Sequence, residues 1–242
     1  PGAWPPAAWE AVACGRARAG PWKFTAVTWL VSVVSWWPCN SFTCLPKFEK
    51  MKAVIPVAGA GIRLRPHTYT QPKRLIPVAG KAIISFIIDE LERVGIREFV
   101  FVIGYLGEKI RFFLENEYPH LEKEFVVQKE RQGLGHAIWT AGEAIRDADE
   151  IIIVLGDIIF DVDLKAVLRG PHSSLGTKTV EDPREFGVVE MGQNGYVGRV
   201  VEKPRIPKSN QALVGLYKIR EPRLLIECLQ ENIENDLRTH GE

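Results

Sequence analysis

Three short, unbroken runs of apolar residues limit what this chain can fold into more than any other feature. They are "AVIPV" at residues 53–57, "FVFVI" at 99–103 and "IIIVL" at 151–155. A strand with one face in water alternates apolar and polar side chains. A run with no polar interruption needs apolar cover on both faces, as in a mostly parallel sheet between helix layers. The segments between these runs supply that cover. "KAIISFIIDELERV", residues 81–94, carries apolar residues at helical spacing and stops at Gly95, a helix C-terminal signal. Residues 107–118 and 136–145 predict two further helices. The alternating order of strands and helices predicts an α/β fold of three layers, Rossmann-like, with a mostly parallel mixed sheet. Residues 187–191, 197–202 and 212–219 follow closely with "GQNG" between the first two. They predict a small antiparallel section attached to the main sheet.

Residues 1–50 have a different character. Six of the seven tryptophans lie there, with three of the four cysteines (Cys14, Cys39 and Cys44). They hold five basic and two acidic groups, which leaves 26 basic and 28 acidic groups of the chain's 31 and 30 for residues 51–242. The larger part is thus mildly acidic, and bulk charge gives no reason to expect nucleic-acid binding. With Cys228 as its one cysteine it has no internal disulfide and is expected in the cytoplasm. The "CNSFTC" spacing has no second Cys or His pair to complete a zinc site. The apolar stretch 24–37 is short of the roughly 20 residues of a membrane span, so no membrane partner is expected. "MKAVIPVAGAG" from Met51 has the form of a natural amino terminus, a Met directly before a buried strand. Residues 1–50 are therefore expected to form an atypical extension outside the fold, and residues 51–242 the folded domain.

The first apolar run ends in "AGAG", residues 58–61. A strand running into small residues presents backbone N–H groups with no side chains in the way, which suits phosphate oxygens. The spacing matches neither the dinucleotide fingerprint nor the P-loop, and glycine pairs also make plain turns. The next residues add Arg63 and Lys73 on a loop stiffened by Pro66, Pro72 and Pro77. Two cations on a loop of fixed shape point to an anion between them. Asp157, just past the third apolar run, stands where open α/β sheets bind ligands. A nicotinamide-dependent oxidoreductase shares such a sheet. It expects an acid about 20 residues beyond the glycine loop, where this chain has prolines and Lys73.

The stretch "VAGAGIRLRPHTYTQPKRLIPVAGK" resembles the signature of the sugar-1-phosphate nucleotidylyltransferases. Their pattern is roughly G-x-G-x-R-L-x-P-x-T-x-x-x-P-K-x-L-x-P-V-x-x-K-P. It is met at Gly59, Gly61, Arg63, Leu64, Pro66, Thr68, Pro72, Lys73, Leu75, Pro77 and Lys81, with departures at Ala58, Ile62 and Ala82. "VQKERQGLGHA", "VLGD", "FGVVE" and "VEKP…SNQALVGLY" are similar to further family segments, in family order. The resemblance implies a nucleotidyltransferase fold whose antiparallel section holds the sugar. It implies that Ala58, Gly59, Gly61, Arg63, Gln128 and Gly133 bind the nucleotide, and that Gly187, Glu202, Lys203 and Leu213 bind the sugar phosphate. Arg63, Lys73 and Lys203 would carry catalysis, and Asp157 would hold Mg²⁺. Gln128, whose amide both donates and accepts, would read the edge of uracil or thymine.

The implied substrates are a nucleoside triphosphate and a sugar 1-phosphate, glucose 1-phosphate with dTTP or UTP in the first place. The alternatives are mannose 1-phosphate with GTP, or a nucleotide-sugar binder without turnover. The resemblance also allows a homo-oligomer. Family members continue past the "NDLRTHGE" with which this chain stops, including a second metal-binding Asp, so the domain is expected to be incomplete at its carboxyl end.

Overall fold

The computed structural model describes residues 24–28, 50–192 and 195–235. The strands in chain order begin with β1 (Phe24–Thr28) and β2 (Met51–Pro56). Three 3-10 turns (Ile62–Leu64, His67–Tyr69, Lys73–Leu75) and a small hairpin of β3 (Pro77–Val78) and β4 (Lys81–Ala82) lead into helix α1 (Ile83–Arg93). Then come β5 (Glu98–Ile103), α2 (Gly107–Glu117), β6 (Glu122–Val127), α3 (Gly133–Thr140) and β7 (Glu150–Val154). The chain continues with α4 (Leu164–Arg169), β8 (Ser173–Thr179), β9 (Gly187–Met191), β10 (Val197–Glu202), β11 (Gln211–Ile219) and α5 (Pro222–Glu234).

All but the hairpin strands join one mixed sheet, ordered β1-β8-β11-β7-β2-β5-β6, with β9 beside β11 and β10 beside β9. Strands β7, β2, β5 and β6 run parallel, while β11 is antiparallel to β7, β8 and β9. Successive residues of the central strand point to opposite faces. Ala53 and Ile55 join one core with Ile84, Ile87, Ile88 and Leu91 of α1 and with Ile110 and Leu114 of α2. Val54 joins the other, with Ala137 and Ile138 of α3 and Leu225 and Leu229 of α5. The unbroken aliphatic runs are thus covered on both sides, and the three-layer α/β expectation holds.

Several boundaries differ from the sequence reading for identifiable reasons. The third helix starts at Gly133 and ends at Thr140, after which residues 141–147 continue as turns. The apolar period runs on there because turns packed against the same core need apolar side chains too. Edge strand β6, "EKEFVV", is half exposed and carried no apolar run to announce it. The loop 62–76, expected as irregular, folds into its three 3-10 turns. Asp163 accepts a hydrogen bond from the Ala166 N–H at 3.2 Å and caps α4, in keeping with a capping role. From the first fifty residues, Phe24–Thr28 pairs in parallel with β8 at the sheet edge. Cys14, Cys39 and Cys44 lie outside the described residues. Among the described residues no helix is long and apolar enough to cross a membrane.

Lys218 of β11 is the most deeply buried charged side chain among those described, 1% exposed. Its Nζ donates to the carbonyls of Leu168 at 2.8 Å and Gly170 at 2.7 Å, and lies 3.1 Å from Glu150 Oε2. It therefore satisfies the free carbonyls at the end of α4 and fixes that helix to the start of β7. Lys218→Met is expected to lower the unfolding free energy by about 3 kcal/mol, read from the urea midpoint.

Candidate functional site

From β2 the chain steps outward to β5 and β6, then returns to the other side of β2 as β7. The winding direction reverses at β2, and the loops after β2 and β7 leave the sheet side by side at the carboxyl ends of the strands, where open α/β sheets bind ligands. The glycine loop and Asp157 both lie there. Val57 still donates to the Val102 carbonyl of β5 at 2.8 Å. Past it, among the described residues, the N–H groups of Ala58, Gly59, Ala60 and Gly61 have no backbone partner. Gly59 is exposed and Ala60 and Gly61 are half-buried, so this run of donors borders solvent.

The shape of that loop is set by its neighbours. Gly61 sits at φ 62°, ψ 38°, the left-handed region that favours glycine. Its carbonyl accepts from Thr68 Oγ1 at 2.8 Å, and a Cβ on it would lie 3.0 Å from Thr68 and 3.1 Å from Lys73. The 3-10 segment is tied down further by Tyr105, whose hydroxyl donates to the Tyr69 carbonyl at 3.1 Å. Lys109 Nζ donates to the Thr70 carbonyl at 2.6 Å. The result brings Lys73 across to β7, where its Nζ meets Asp157 Oδ2 at 2.5 Å. The Lys73 side chain is 23% exposed and that of Asp157 10%, so this pair is shielded from bulk water more than surface pairs are. Gly156 permits the approach: a Cβ there would stand 2.7 Å from Val57 Cγ1 and 3.2 Å from the Pro56 carbonyl. Arg63 belongs to the first 3-10 turn, and its side chain lies outside the described residues.

Arg74, which no sequence signal picks out, is buried between the same two loops. Its Nη1 donates to the Gly59 carbonyl at 2.8 Å, and its Nε is buried without a partner. Desolvation pulls its pKa below the usual arginine range, opposed by the charge of Asp157. Nothing in a sequence separates a buried arginine from the many exposed ones, and the signature leaves this position open.

Gln128 and Gly133 form a second group. The Gln128 N–H donates to the Ile103 carbonyl at 2.9 Å, placing the residue at the same carboxyl edge of the sheet. Its side-chain Nε2 lies 3.2 Å from the Gly133 carbonyl and 3.0 Å from His136 Nδ1. A carbonyl only accepts, so the atom facing Gly133 is the amide nitrogen, and His136 Nδ1 is the acceptor for its other hydrogen. Both amide hydrogens are engaged within the protein. An amide expected to donate and accept therefore has its carbonyl oxygen left for a ligand.

The third group lies on the antiparallel section. Gly187 pairs with Glu202 across β9 and β10. A Cβ on Gly187 would come 3.0 Å from Glu202 Oε2 and 3.0 Å from Leu213 Cδ1. Lys203 follows Glu202 at φ 43°, a conformation that costs a non-glycine residue energy, and its N–H donates to the Phe186 carbonyl at 3.0 Å. Strand β11 brings this group towards the loop after β7: the Leu155 N–H donates to the Gly215 carbonyl at 2.9 Å, two residues from Leu213. Among the described residues no cluster of three or more His, Cys, Asp or Glu side chains is placed to hold a metal ion. Asp157 belongs to no such cluster, and its Oδ2 is paired with Lys73 Nζ.

Residues 52–240 match the sequence profile of the nucleotidyl transferase family. The chain belongs to that family. It is 38% identical over 168 residues to the bifunctional protein GlmU of Methanocaldococcus jannaschii, a match over 69% of this chain and 40% of that protein. It is 32% identical over 174 residues to the UTP–glucose-1-phosphate uridylyltransferase AglF of Haloferax volcanii, covering 69% of this chain and 71% of that one. The nucleotidyl transferase fold is seen also in a crystal structure of a UDP-glucose pyrophosphorylase with UDP-glucose. It aligns with a TM-score of 0.63 at 24% identity, over 76% of this chain and 87% of the other. The first relatives matched are longer proteins, of which this chain spans about 40%.

The crowding at the two glycines gives a direct expectation. Gly61→Ala must hold a side chain at positive φ, and Gly156→Ala must push β2 and β7 apart. Each is expected to cost about 2 kcal/mol, measured as a loss of unfolding free energy in urea.

Proposed function

We propose that this chain carries the site of an enzyme that transfers a nucleoside monophosphate from a nucleoside triphosphate to a sugar 1-phosphate, releasing pyrophosphate and an NDP-sugar. One observation carries the reading. Four successive backbone donors lie at the sheet's switch point beside Lys73 and Asp157. That is an anion cradle with a cation and a carboxylate next to it. The unit that does this work is residues 51–242, with β1 at its edge.

In the reaction an oxygen of the sugar 1-phosphate attacks the α-phosphorus, and the bond to the bridging oxygen of the leaving pyrophosphate breaks. No protein nucleophile is needed, so catalysis comes from positioning and neutralising charge. The loop of Ala58, Gly59 and Gly61 binds the triphosphate, and Arg63 and Lys73 balance the charge that builds on the leaving pyrophosphate. Lys203 orients the attacking phosphate, while Glu202 binds sugar hydroxyls between Gly187 and Leu213. Mg²⁺ fits Asp157, since that hard cation takes one or two carboxylates and completes its shell with substrate phosphates. When bound it supplies neutralisation of phosphate charge.

The carbonyl oxygen of Gln128, set by Gly133 and His136, can accept from the ring N–H of uracil, thymine or guanine. The amino groups of adenine and cytosine are donors too, so this acceptor alone does not select the base. UTP or dTTP with glucose 1-phosphate is the first choice, in keeping with the similarity to the uridylyltransferase AglF, and GTP with mannose 1-phosphate the second. The reaction is placed in the cytoplasm, where nucleoside triphosphates are made.

The test is pyrophosphate release by the purified full chain with Mg²⁺, across the four triphosphates and both sugar phosphates. One pair should turn over. Asp157→Asn and Lys203→Ala should each lower kcat/KM for it by about 100-fold. Undiminished turnover in both variants, or no pyrophosphate from any pair, would sink the reading.

A further inference from the structure

Arg74 occupies the position between Lys73 and Leu75 that the family signature leaves unspecified, and the proposed mechanism gives it no task. Yet its burial is costly. The residue is 9% exposed, and its Nε–H lacks a partner. A buried charge is retained only where its surroundings hold it.

Those surroundings are two glycines, one after each central strand. A Cβ on Gly59 would stand 3.2 Å from Arg74 Nη2, and a Cβ on Gly156 would stand 3.2 Å from Arg74 Cγ. The side chain thus threads between the loop after β2 and the loop after β7, and Asp157 on the latter offsets part of its desolvation. Its one hydrogen bond to the glycine loop, Nη1–H to the Gly59 carbonyl at 2.8 Å, comes from the buried side. In a trans peptide the C=O and the following N–H point in opposite directions. A Gly59 carbonyl held inward therefore turns the Ala60 N–H outward, and that N–H has no backbone partner.

We propose that Arg74 is a positioning residue: by gripping the Gly59 carbonyl from beneath, it aims the Ala60 N–H at a phosphate oxygen of the bound nucleotide and locks the glycine loop to the loop that carries Asp157. This rests on reading residues 58–61 as the triphosphate site. The grip itself does not depend on that reading and can be tested without a ligand.

The experiment combines amide hydrogen exchange on the ligand-free full chain with steady-state kinetics, for Arg74→Met, Arg74→Lys and Gly59→Ala. The last variant presses on the guanidinium from the loop side and serves if both Arg74 variants fail to fold. Exchange of the Val57 N–H, the one backbone donor of residues 57–61 that is bonded, to the Val102 carbonyl, should quicken about tenfold in Arg74→Met, with α2 and the rest of β5 unchanged. KM for the triphosphate should rise about tenfold while KM for the sugar phosphate stays within about twofold. Arg74→Lys, which keeps the charge, should recover part of both effects. Unchanged exchange at Val57 in a folded variant overturns the proposal. So does faster exchange in an active enzyme whose triphosphate KM does not move. Faster exchange in a chain that neither turns over nor binds any triphosphate would leave the grip standing and overturn its aim at phosphate together with the proposed function.

Discussion

Strand β2 bonds in parallel to β5 on one side and to β7 on the other, and the rest of the molecule is arranged around that position. A strand so placed has no edge, and its central residues Ala53, Val54 and Ile55 have no wet face and must be apolar, while its loop leaves at the carboxyl end. The loop after β7 leaves at the same end. The two must share a narrow space, and Gly156 against Val57 is what lets them do so. Crowding at one glycine thus sets the gap between the two loops as well as the packing of the strands.

Within that gap charge is distributed economically. Lys73 and Arg74 are adjacent in the chain and share one 3-10 turn, yet they face different work. Lys73 reaches the carboxylate of Asp157, while Arg74 turns beneath the glycine loop to the Gly59 carbonyl. Two side chains of one short turn therefore tie together the loops that follow both central strands. The tight 3-10 geometry matters here, because it holds three residues per turn and separates neighbouring side chains by about 120°.

The antiparallel section shows a second kind of economy. Strand β11 pairs with β7, β8 and β9, so one strand joins the parallel part of the sheet to its antiparallel section. That shared strand is why Leu213, Gly187, Glu202 and Lys203 come to the same edge as Asp157 although up to about 55 residues of chain separate them.

Much of the fold was legible because local pattern and tertiary demand agree at β2, β5 and β7: covered strands must be aliphatic, and aliphatic runs ending in glycine must turn. The edge strand β6 and helix α4 were not legible, since a half-exposed strand and a six-residue helix carry no strong period of their own. The glycine loop, Lys73 and Asp157 could be picked out from residue type and spacing alone. What those residues meet could not. That Gln128 spends both amide hydrogens on Gly133 and His136 depends on where α3 packs. That Arg74 is buried depends on the meeting of two loops 82 residues apart, from Arg74 to Gly156. The layers and the kinds of side chain on offer can be read locally, because burial periodicity and residue type are local properties. Which donors are spent inside the protein and which are left unbonded follows from the packing, because it depends on distances between segments remote in the chain.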